Sequence, residues 1–284
     1  MSLALLRVTA ALYLVAAGGF VFFFARPRHA GAARVGGWFM GAAFVLHAAA
    51  IGLGCREYGG LEWFTLRGGF VLMAWLVAGA YLLVQRFTHL PGVGAFVTPL
   101  ALLFLLPALF GDGAAPGVAP EVVRHPTLTL HVLSATLGVA LFGVAAGVAL
   151  MYLLQEREVK GKRFGALFSR LPSLEALDTL TQRLVRAGFV VFTVALLAGS
   201  VTASVVWKSA WSWGDPQQVA SLVIWALYGG MVQARHSGWH GRRYALLTMV
   251  GFGLVMGSMV SLKAIPGATR HAGSFSAGAQ GGTP

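Results

Sequence analysis

The chain has 284 residues, of which 57% are hydrophobic and only 11% are charged. This composition and a mean hydropathy of +0.74 exclude a water-soluble domain of this size. The net charge of +12 does not indicate nucleic-acid binding, because the basic residues are concentrated between alternate apolar runs. The single cysteine, Cys55, excludes an internal disulfide, a CxxC redox pair and a thiolate zinc site.

Eight apolar runs are each long enough to cross the ~30 Å hydrocarbon core of a bilayer as a helix. Because the runs are continuous and do not alternate, they indicate helices and not the strands of a barrel. The prediction is therefore an all-α, polytopic membrane bundle. The predicted spans are 3–25, 35–54, 68–86, 93–110, 127–154, 184–206, 217–234 and 244–263. The first is expected to be a retained span and not a signal peptide, because it is too long.

The segments between the runs alternate in charge. Most basic residues lie in the first, third, fifth and seventh segments, which the positive-inside rule places in the cytoplasm. Both termini and the remaining segments are then expected outside the cytoplasm, in a multi-pass protein of a bacterial inner membrane. A minority of basic residues lie on that outer side. They are Arg56, Arg67, Arg124, Lys208, Lys263 and Arg270.

The chain is predicted to form a single domain over 1–276, followed by a disordered Gly/Ser/Ala tail at 277–284. Ahead of the sixth run, Ser173 is placed to cap a helix, and leucines recur at helical spacing after it. This pattern predicts a short amphipathic helix lying on the cytoplasmic face of the membrane.

The segment 207–218 combines three tryptophans, Trp207, Trp211 and Trp213, with Asp215 and Pro216. Tryptophans of an interfacial belt usually occur singly, so this density indicates a surface that binds something flat. The alternative is an interfacial belt joined to a helix start, in which Asp215 is the cap and Pro216 lies in the first turn. That alternative accounts for Asp215 and Pro216 but leaves the tryptophans unexplained.

Four histidines are candidates for a site on the outer side. His131 lies about one turn inside the fifth span, where it is either a functional group or a neutral imidazole bonded to a neighbouring helix. His271 follows the last span, on the same side of the membrane. His125 is an alternative to His131, and His47 lies within the second span, where it either passes a ligand across the membrane or bonds to a helix.

Two histidines beside an aromatic surface suit heme, whose iron takes axial imidazoles while the macrocycle packs against aromatic rings. A zinc site is the alternative, but zinc needs three or four ligands and does not require tryptophans. Heme propionates would need cations. The candidates for that role are Arg124, Lys208, Lys263 and Arg270.

Three stretches carry a resemblance to a known family. They are Leu171-Pro-Ser-Leu-Glu-Ala-Leu-Asp178, the run from Trp207 to Tyr228, and Gly238-Trp-His-Gly-Arg-Arg243. On these residues the chain resembles the CcsA-type cytochrome c assembly family, heme-handling membrane proteins with a Trp-rich external loop between two histidines. The resemblance is good from His131 to His271 and weaker around His47.

The resemblance implies eight helices and heme b presented at the outer surface, with His131 and His271 as the axial pair. It implies that Trp207, Trp211, Trp213 and Asp215 belong to the heme-binding segment and that His47 is a candidate ligand within the membrane. In the family, heme is moved across the membrane and joined to the CxxCH motif of an apocytochrome c, usually with a second membrane subunit of the ResB/CcsB type.

The chain departs from the family pattern in one place. The family's Trp-x-Trp-Asp-Pro-Lys-Glu reads here Trp213-Gly-Asp-Pro-Gln-Gln218, with Gly214 interposed and both charges lost. The glycine is expected to add flexibility, and the loss of charge is expected to affect ligase activity more than heme binding. The alternative function is therefore a non-catalytic membrane regulator or accessory protein of heme synthesis or assembly, resembling HemX or YpjD. A weaker alternative is a transporter of another anion. Such a protein should carry broken helices with polar residues at the midplane, whereas the polar chemistry of this chain lies at the outer edge.

Overall fold

A computed structural model of the protein describes residues 1–26, 29–57, 65–88, 90–110, 125–162, 168 and 171–264. This part of the chain contains eight α-helices and no strand, which confirms the predicted fold class. The helices are α1 (Ser2–Ala25), α2 (Ala30–Glu57), α3 (Leu66–Thr88), α4 (Gly94–Phe110), α5 (Pro126–Lys160), α6 (Leu174–Trp207), α7 (Pro216–His236) and α8 (Arg242–Ala264). Within these described residues, six helices, α1 to α6, are long and apolar enough to cross a membrane.

Consecutive helices run antiparallel, so the helix ends collect at two opposite ends of the bundle. The start of α5 lies beside the end of α6, and the start of α4 packs against the second half of α5, where Val97 is close to Gly147. We call the end that carries His131 and segment 207–218 the Trp end. The opposite end, which carries Asp178 and Arg235, is the basic end. The first residues of α3 therefore lie at the Trp end.

Helices α5 and α6 pack closely because glycines remove side chains from their contact. A Cβ on Gly138 would lie 3.1 Å from the Cβ of Phe192, and one on Gly188 would lie 2.7 Å from the ring of Phe142. Small residues allow this approach between membrane helices. Phe142 is stacked on Tyr228 of α7 at 3.6 Å, and both rings are fully buried. The long helix α5 is thus central to the second half of the bundle.

The predicted amphipathic helix after Ser173 is not a separate element. Ser173 caps a helix as expected, accepting a hydrogen bond from the amide of Ala176 at 3.2 Å, but that helix continues without a break to Trp207. Leu177 and Leu180 are buried in the protein core. The prediction of a helix on the membrane surface is therefore wrong, because the leucine stripe packs on other helices.

One carboxylate joins three helices at the basic end. Asp178 of α6 accepts a hydrogen bond from Arg235 of α7 at 2.6 Å, and its other oxygen accepts one from the amide of Gly241, just before α8, at 3.0 Å. The side chains of Asp178 and Arg235 are only 15% and 13% exposed. The guanidinium also lies 5.8 Å from the ring centre of Tyr244. This network fixes the ends of α6, α7 and α8 relative to one another.

Candidate functional site

His131 is anchored to the neighbouring helix by its ring. It lies in the second turn of α5, half-buried, and its Nδ1 is 2.7 Å from the carbonyl oxygen of Ala195 in α6. A carbonyl only accepts, so Nδ1 carries the proton and the lone pair lies on Nε2. The two interpretations of this histidine are therefore compatible with each other. The ring is bonded to a helix through Nδ1, and in its neutral form it keeps on Nε2 the lone pair that a metal ligand needs.

The space for this ring is provided by a glycine. A Cβ on Gly199, one turn after Ala195 in α6, would lie 2.7 Å from Nδ1 of His131 and 2.8 Å from its Cε1. Cβ atoms do not approach other atoms so closely, so a side chain at position 199 would displace the imidazole. Ala195 and Gly199 were both missed by the sequence reasoning, because nothing in an apolar helix marks a carbonyl or a gap as a contact.

His125, the alternative to His131, sits at the N-cap position of α5. Its Nδ1 is 2.6 Å from the hydroxyl of Thr127, which is itself 2.9 Å from the hydroxyl of Thr202 in α6. A hydroxyl can turn to donate or accept, so this contact does not fix the protonated nitrogen of His125. Of the two histidines, His131 has the better defined ring.

Residues 207–218, which we call the Trp segment, present aromatic rings at the Trp end of the bundle. Trp211 and Trp213 pack edge to face, with ring centres 5.7 Å apart and planes at 69°. Trp213 is 75% exposed, whereas Nε1 of Trp211 is buried and finds no acceptor in the described part of the chain. The side chain of Trp207 lies outside the described residues. The exposed ring of Trp213 therefore lies beside the Nε1–H of Trp211, which is unbonded within the described residues.

The segment is held by its own polar atoms. Asp215 is 1% exposed and caps α7, accepting from the amide of Gln217 at 2.9 Å, with Pro216 in the first turn as expected. The side-chain oxygen of Gln218 accepts from the amide of Ser212 at 2.7 Å. Gln218 thus orders the segment with a neutral acceptor, at the position where the family pattern has a glutamate.

Gly214 is not required by the geometry. Positive φ angles among the described glycines occur at Gly238 and Gly241, and a Cβ on Gly214 would meet only Ser212 Oγ at 4.0 Å. An alanine would therefore fit at position 214 without strain. The bonds around Asp215 and Gln218 limit the flexibility that the inserted glycine was expected to bring.

Replacing Gln218 by alanine is expected to loosen the Trp segment without unfolding the protein. One hydrogen bond contributes about 1 kcal/mol, so the segment should open roughly fivefold more often. Lys208 is exposed and lies at the start of the segment, so the rate of tryptic cleavage after Lys208 measures the opening. Gln218→Glu should keep the wild-type rate because it keeps the acceptor. Gln217→Ala is the matched control, since Gln217 contributes its backbone amide, and a rate equal to that of Gln218→Ala would contradict the assignment.

His47 lies deep in the bundle, away from the Trp segment. It is fully buried, and its Nδ1 is 3.2 Å from the hydroxyl of Tyr13 in α1. Nε2 is buried and has no partner among the described residues. Helix α2 continues for ten residues beyond His47 to Glu57, which puts the ring ~15 Å from the helix end. Tyr13 was missed by the sequence reasoning, because tyrosine in an apolar run gives no signal of a polar contact.

Of the other predicted site residues, the structure describes some and leaves the rest outside the described ranges. Lys208 is exposed and ends α6 with a left-handed backbone, φ 57°. His271, Arg124, Arg270 and the side chain of Lys263 lie outside the described residues, as does the predicted tail at 277–284. In the described part of the chain, no three His, Cys, Asp or Glu side chains come together as a metal site. The zinc alternative therefore gains no support there.

The sequence matches a known family over most of its length. A family model described as "Cytochrome C assembly protein" matches residues 63–264. The cytochrome c biogenesis protein CcsA of Parasynechococcus marenigrum (strain WH8102) is 32% identical over 206 residues, which cover 63% of this chain and 67% of that protein. The CcsA protein of Prochlorococcus marinus (strain MIT 9303) is 31% identical over 216 residues, covering 65% and 67%.

A solved structure shares the fold. The chain named "Cytochrome c Heme Lyase CcmF" superposes with a TM-score of 0.66 over 97% of the present chain, at 14% sequence identity. The present chain covers 51% of that chain, so it spans about half the length of the heme lyase. The likeness concerns the arrangement of the helices.

Proposed function

Since this chain belongs to the cytochrome c assembly protein family and is a multi-pass membrane protein of cytochrome c maturation, we propose that it presents heme b for covalent attachment to an apocytochrome c. The observation that carries the proposal is the imidazole of His131, held at the Trp end with its Nε2 lone pair free of the helix bond. Heme supplies the vinyl groups to which cysteine thiols of the apocytochrome add. The protein supplies position and electrostatics.

The residues at the Trp end fit such a ligand. A neutral imidazole fixed through Nδ1 is a suitable axial ligand, and the exposed ring of Trp213 beside Trp211 offers a flat surface for a macrocycle. His271 is proposed as the second axial ligand and Trp207 as a further ring of the surface. Asp215 acts through the cap of α7, which positions the segment, and not through direct contact.

His47 is proposed as a ligand on the path of heme through the membrane. For Nε2 to bind a metal, Nδ1 must carry the proton and donate to the oxygen of Tyr13. The ring is fully buried, so this role requires the α1–α2 pair to part from its neighbours before a porphyrin can reach it. Tyr13 would then keep the imidazole in the required tautomer.

The proposed orientation follows from the distribution of charge. The basic end faces the cytoplasm and the Trp end faces the outside of a bacterial inner membrane, with lipid around the bundle and both termini outside. A single domain over 1–276 is proposed. On the outer side the apocytochrome c would meet the presented heme, with a membrane subunit of the ResB/CcsB type as the second partner.

Removal of the His131 side chain tests the proposal. Wild-type protein purified in detergent should show the visible spectrum of a bis-imidazole heme. The heme affinity of His131→Ala should be lower by roughly tenfold or more. Added imidazole should restore the spectrum, because it can fill the vacated position. His271→Ala should behave in the same way.

His125→Ala is the matched control and should keep the wild-type spectrum, since His125 lies one turn and a half before His131 and at the helix cap. If His131→Ala and His271→Ala both keep the unaltered spectrum, the axial assignment is wrong. If His125→Ala alone loses it, His125 is the ligand in place of His131.

The missing Lys-Glu pair favours a second candidate function, a non-catalytic regulator or accessory protein that binds heme. Gln217 and Gln218 maintain the local structure but carry no charge for a partner or a propionate. Expression in a strain that lacks its own family member separates the two functions. A heme-presenting subunit should restore covalent cytochrome c, detected by heme staining after denaturing electrophoresis. A regulator should bind heme and leave the staining absent.

A further inference from the structure

Arg67 is a buried cation that has no counter-ion among the described residues. It is the second residue of α3, at the Trp end, and only 8% of its surface is exposed. Its Nε and Nη2 atoms are fully buried, and neither has a hydrogen-bond partner within the described residues. A guanidinium does not lose its proton in proteins. A buried charge in this state is strongly unfavourable unless a ligand or partner neutralises it.

The two unpaired atoms define the shape of the missing partner. Nε and Nη2 lie on the same edge of the guanidinium plane and form a fork that matches the two oxygens of a carboxylate. Two carboxylates at this end, among the residues that the structure describes, are already engaged. Glu57 accepts from the hydroxyl of Ser2 at 2.5 Å and pairs with the N-terminal amine at 2.9 Å, and Asp215 caps α7.

The start of α3 beside Arg67 is capped by a threonine. Thr65 caps α3, since its hydroxyl accepts from the amide of Gly68 at 2.9 Å and its carbonyl accepts from that of Gly69 at 3.0 Å. The amides of Gly68 and Gly69 are thus in use at the start of α3.

We propose that Arg67 binds a carboxylate, and that this carboxylate is a propionate of the heme presented at the Trp end. The inference rests on the proposed function. It adds a residue that fixes the heme by its acidic edge, in contrast to the histidines, which hold the iron. A phosphate of a lipid headgroup has similar oxygens, but a propionate also accounts for the presence of Arg67 at the same end as His131.

This role has a thermodynamic signature that a structural arginine does not have. If Arg67 serves only the ligand, Arg67→Met removes a buried unpaired charge and should raise the melting temperature of the heme-free protein. The same substitution should weaken the binding of heme. An arginine that stabilises the fold would instead show a lower melting temperature when replaced.

The experiment compares two probes, iron protoporphyrin IX and its dimethyl ester, which lacks both carboxylates. Each is titrated into purified heme-free protein in detergent and followed by visible absorption. Wild type should bind the acid about tenfold or more tightly than the ester, since charge-assisted bidentate contacts are strong. Arg67→Met should lose most of this preference and keep the axial spectrum, and Arg67→Lys should lie between Arg67→Met and wild type. Arg56→Met, at an exposed arginine of the same end, should match wild type.

The outcomes separate this proposal from the proposed function. If wild type binds neither probe, both fail. If wild type binds acid and ester equally while His131→Ala still loses the spectrum, heme presentation stands and the role of Arg67 is overturned. It is also overturned if Arg67→Met lowers the melting temperature of the heme-free protein, or if that variant loses co-purified anionic phospholipid while still distinguishing acid from ester.

Discussion

Replacing Gly199 by alanine is expected to reduce heme affinity by roughly tenfold to a hundredfold, although no histidine is changed. The added Cβ would lie 2.7 Å from Nδ1 of His131, so the ring must move and its bond to the carbonyl of Ala195 must break. Loss of such a supporting bond to a metal-ligating histidine typically has an effect of this size. Heme content per protein and the visible spectrum after purification provide the measurement.

Gly230→Ala is the matched control. Gly230 is also a helical glycine, in α7, and a Cβ there meets nothing within 4 Å. Alanine is favoured over glycine within a helix by ~0.5–1 kcal/mol, so neither variant should lose helical content in circular dichroism. A Gly199→Ala protein with wild-type heme affinity would mean that His131 is not held in this position when heme is bound.

Replacing Asp178 by alanine is expected to destabilise the bundle by about 3–5 kcal/mol, because it leaves Arg235 as an uncompensated buried charge. The pair is largely buried and spans 2.6 Å, and the same carboxylate also binds the amide before α8. The loss of one side chain therefore releases three helix ends. Denaturant unfolding of the detergent-solubilised protein, followed by circular dichroism, measures the change.

Two further variants define what the buried pair contributes. Lys160→Ala removes the partner of Glu156 at the same end, but Lys160 is 61% exposed, so the expected loss is below about 0.5 kcal/mol. The double variant Asp178→Leu/Arg235→Leu should recover most of the stability, because apolar residues replace both charges. Equal losses for Asp178→Ala and Lys160→Ala would show that Asp178 and Arg235 interact no more strongly than a surface pair.

The helices and their starts could be predicted from sequence because those features are local. Apolar runs of sufficient length determine where helices lie in a membrane protein, and the caps at Ser173 and Asp215 depend on residues within a few positions. The prediction of a separate amphipathic helix was wrong because it depends on a contact that is not local. Its leucines have the right period, but the period does not state whether Leu177 packs on lipid or on protein.

The details of the candidate site could not be predicted because they depend on contacts between distant residues. The carbonyl that anchors His131 belongs to Ala195, 64 residues away, and Tyr13 and His47 are 34 residues apart. Arg67 was grouped with the other outer basic residues, since nothing in its neighbours along the chain indicates burial. The sequence shows which ionisable groups are present, but which of them are buried depends on how the helices pack.

The α1–α2 pair precedes the region that the family model matches. The region matched by the family model begins at residue 63, after α2 has ended at Glu57, yet this pair of helices carries His47 and its partner Tyr13. His131 and the Trp segment thus lie inside the region matched by the family model, whereas His47 lies outside it. Both parts nevertheless belong to one bundle, since the ring centre of Phe20 in α1 lies 5.4 Å from that of Tyr81 in α3.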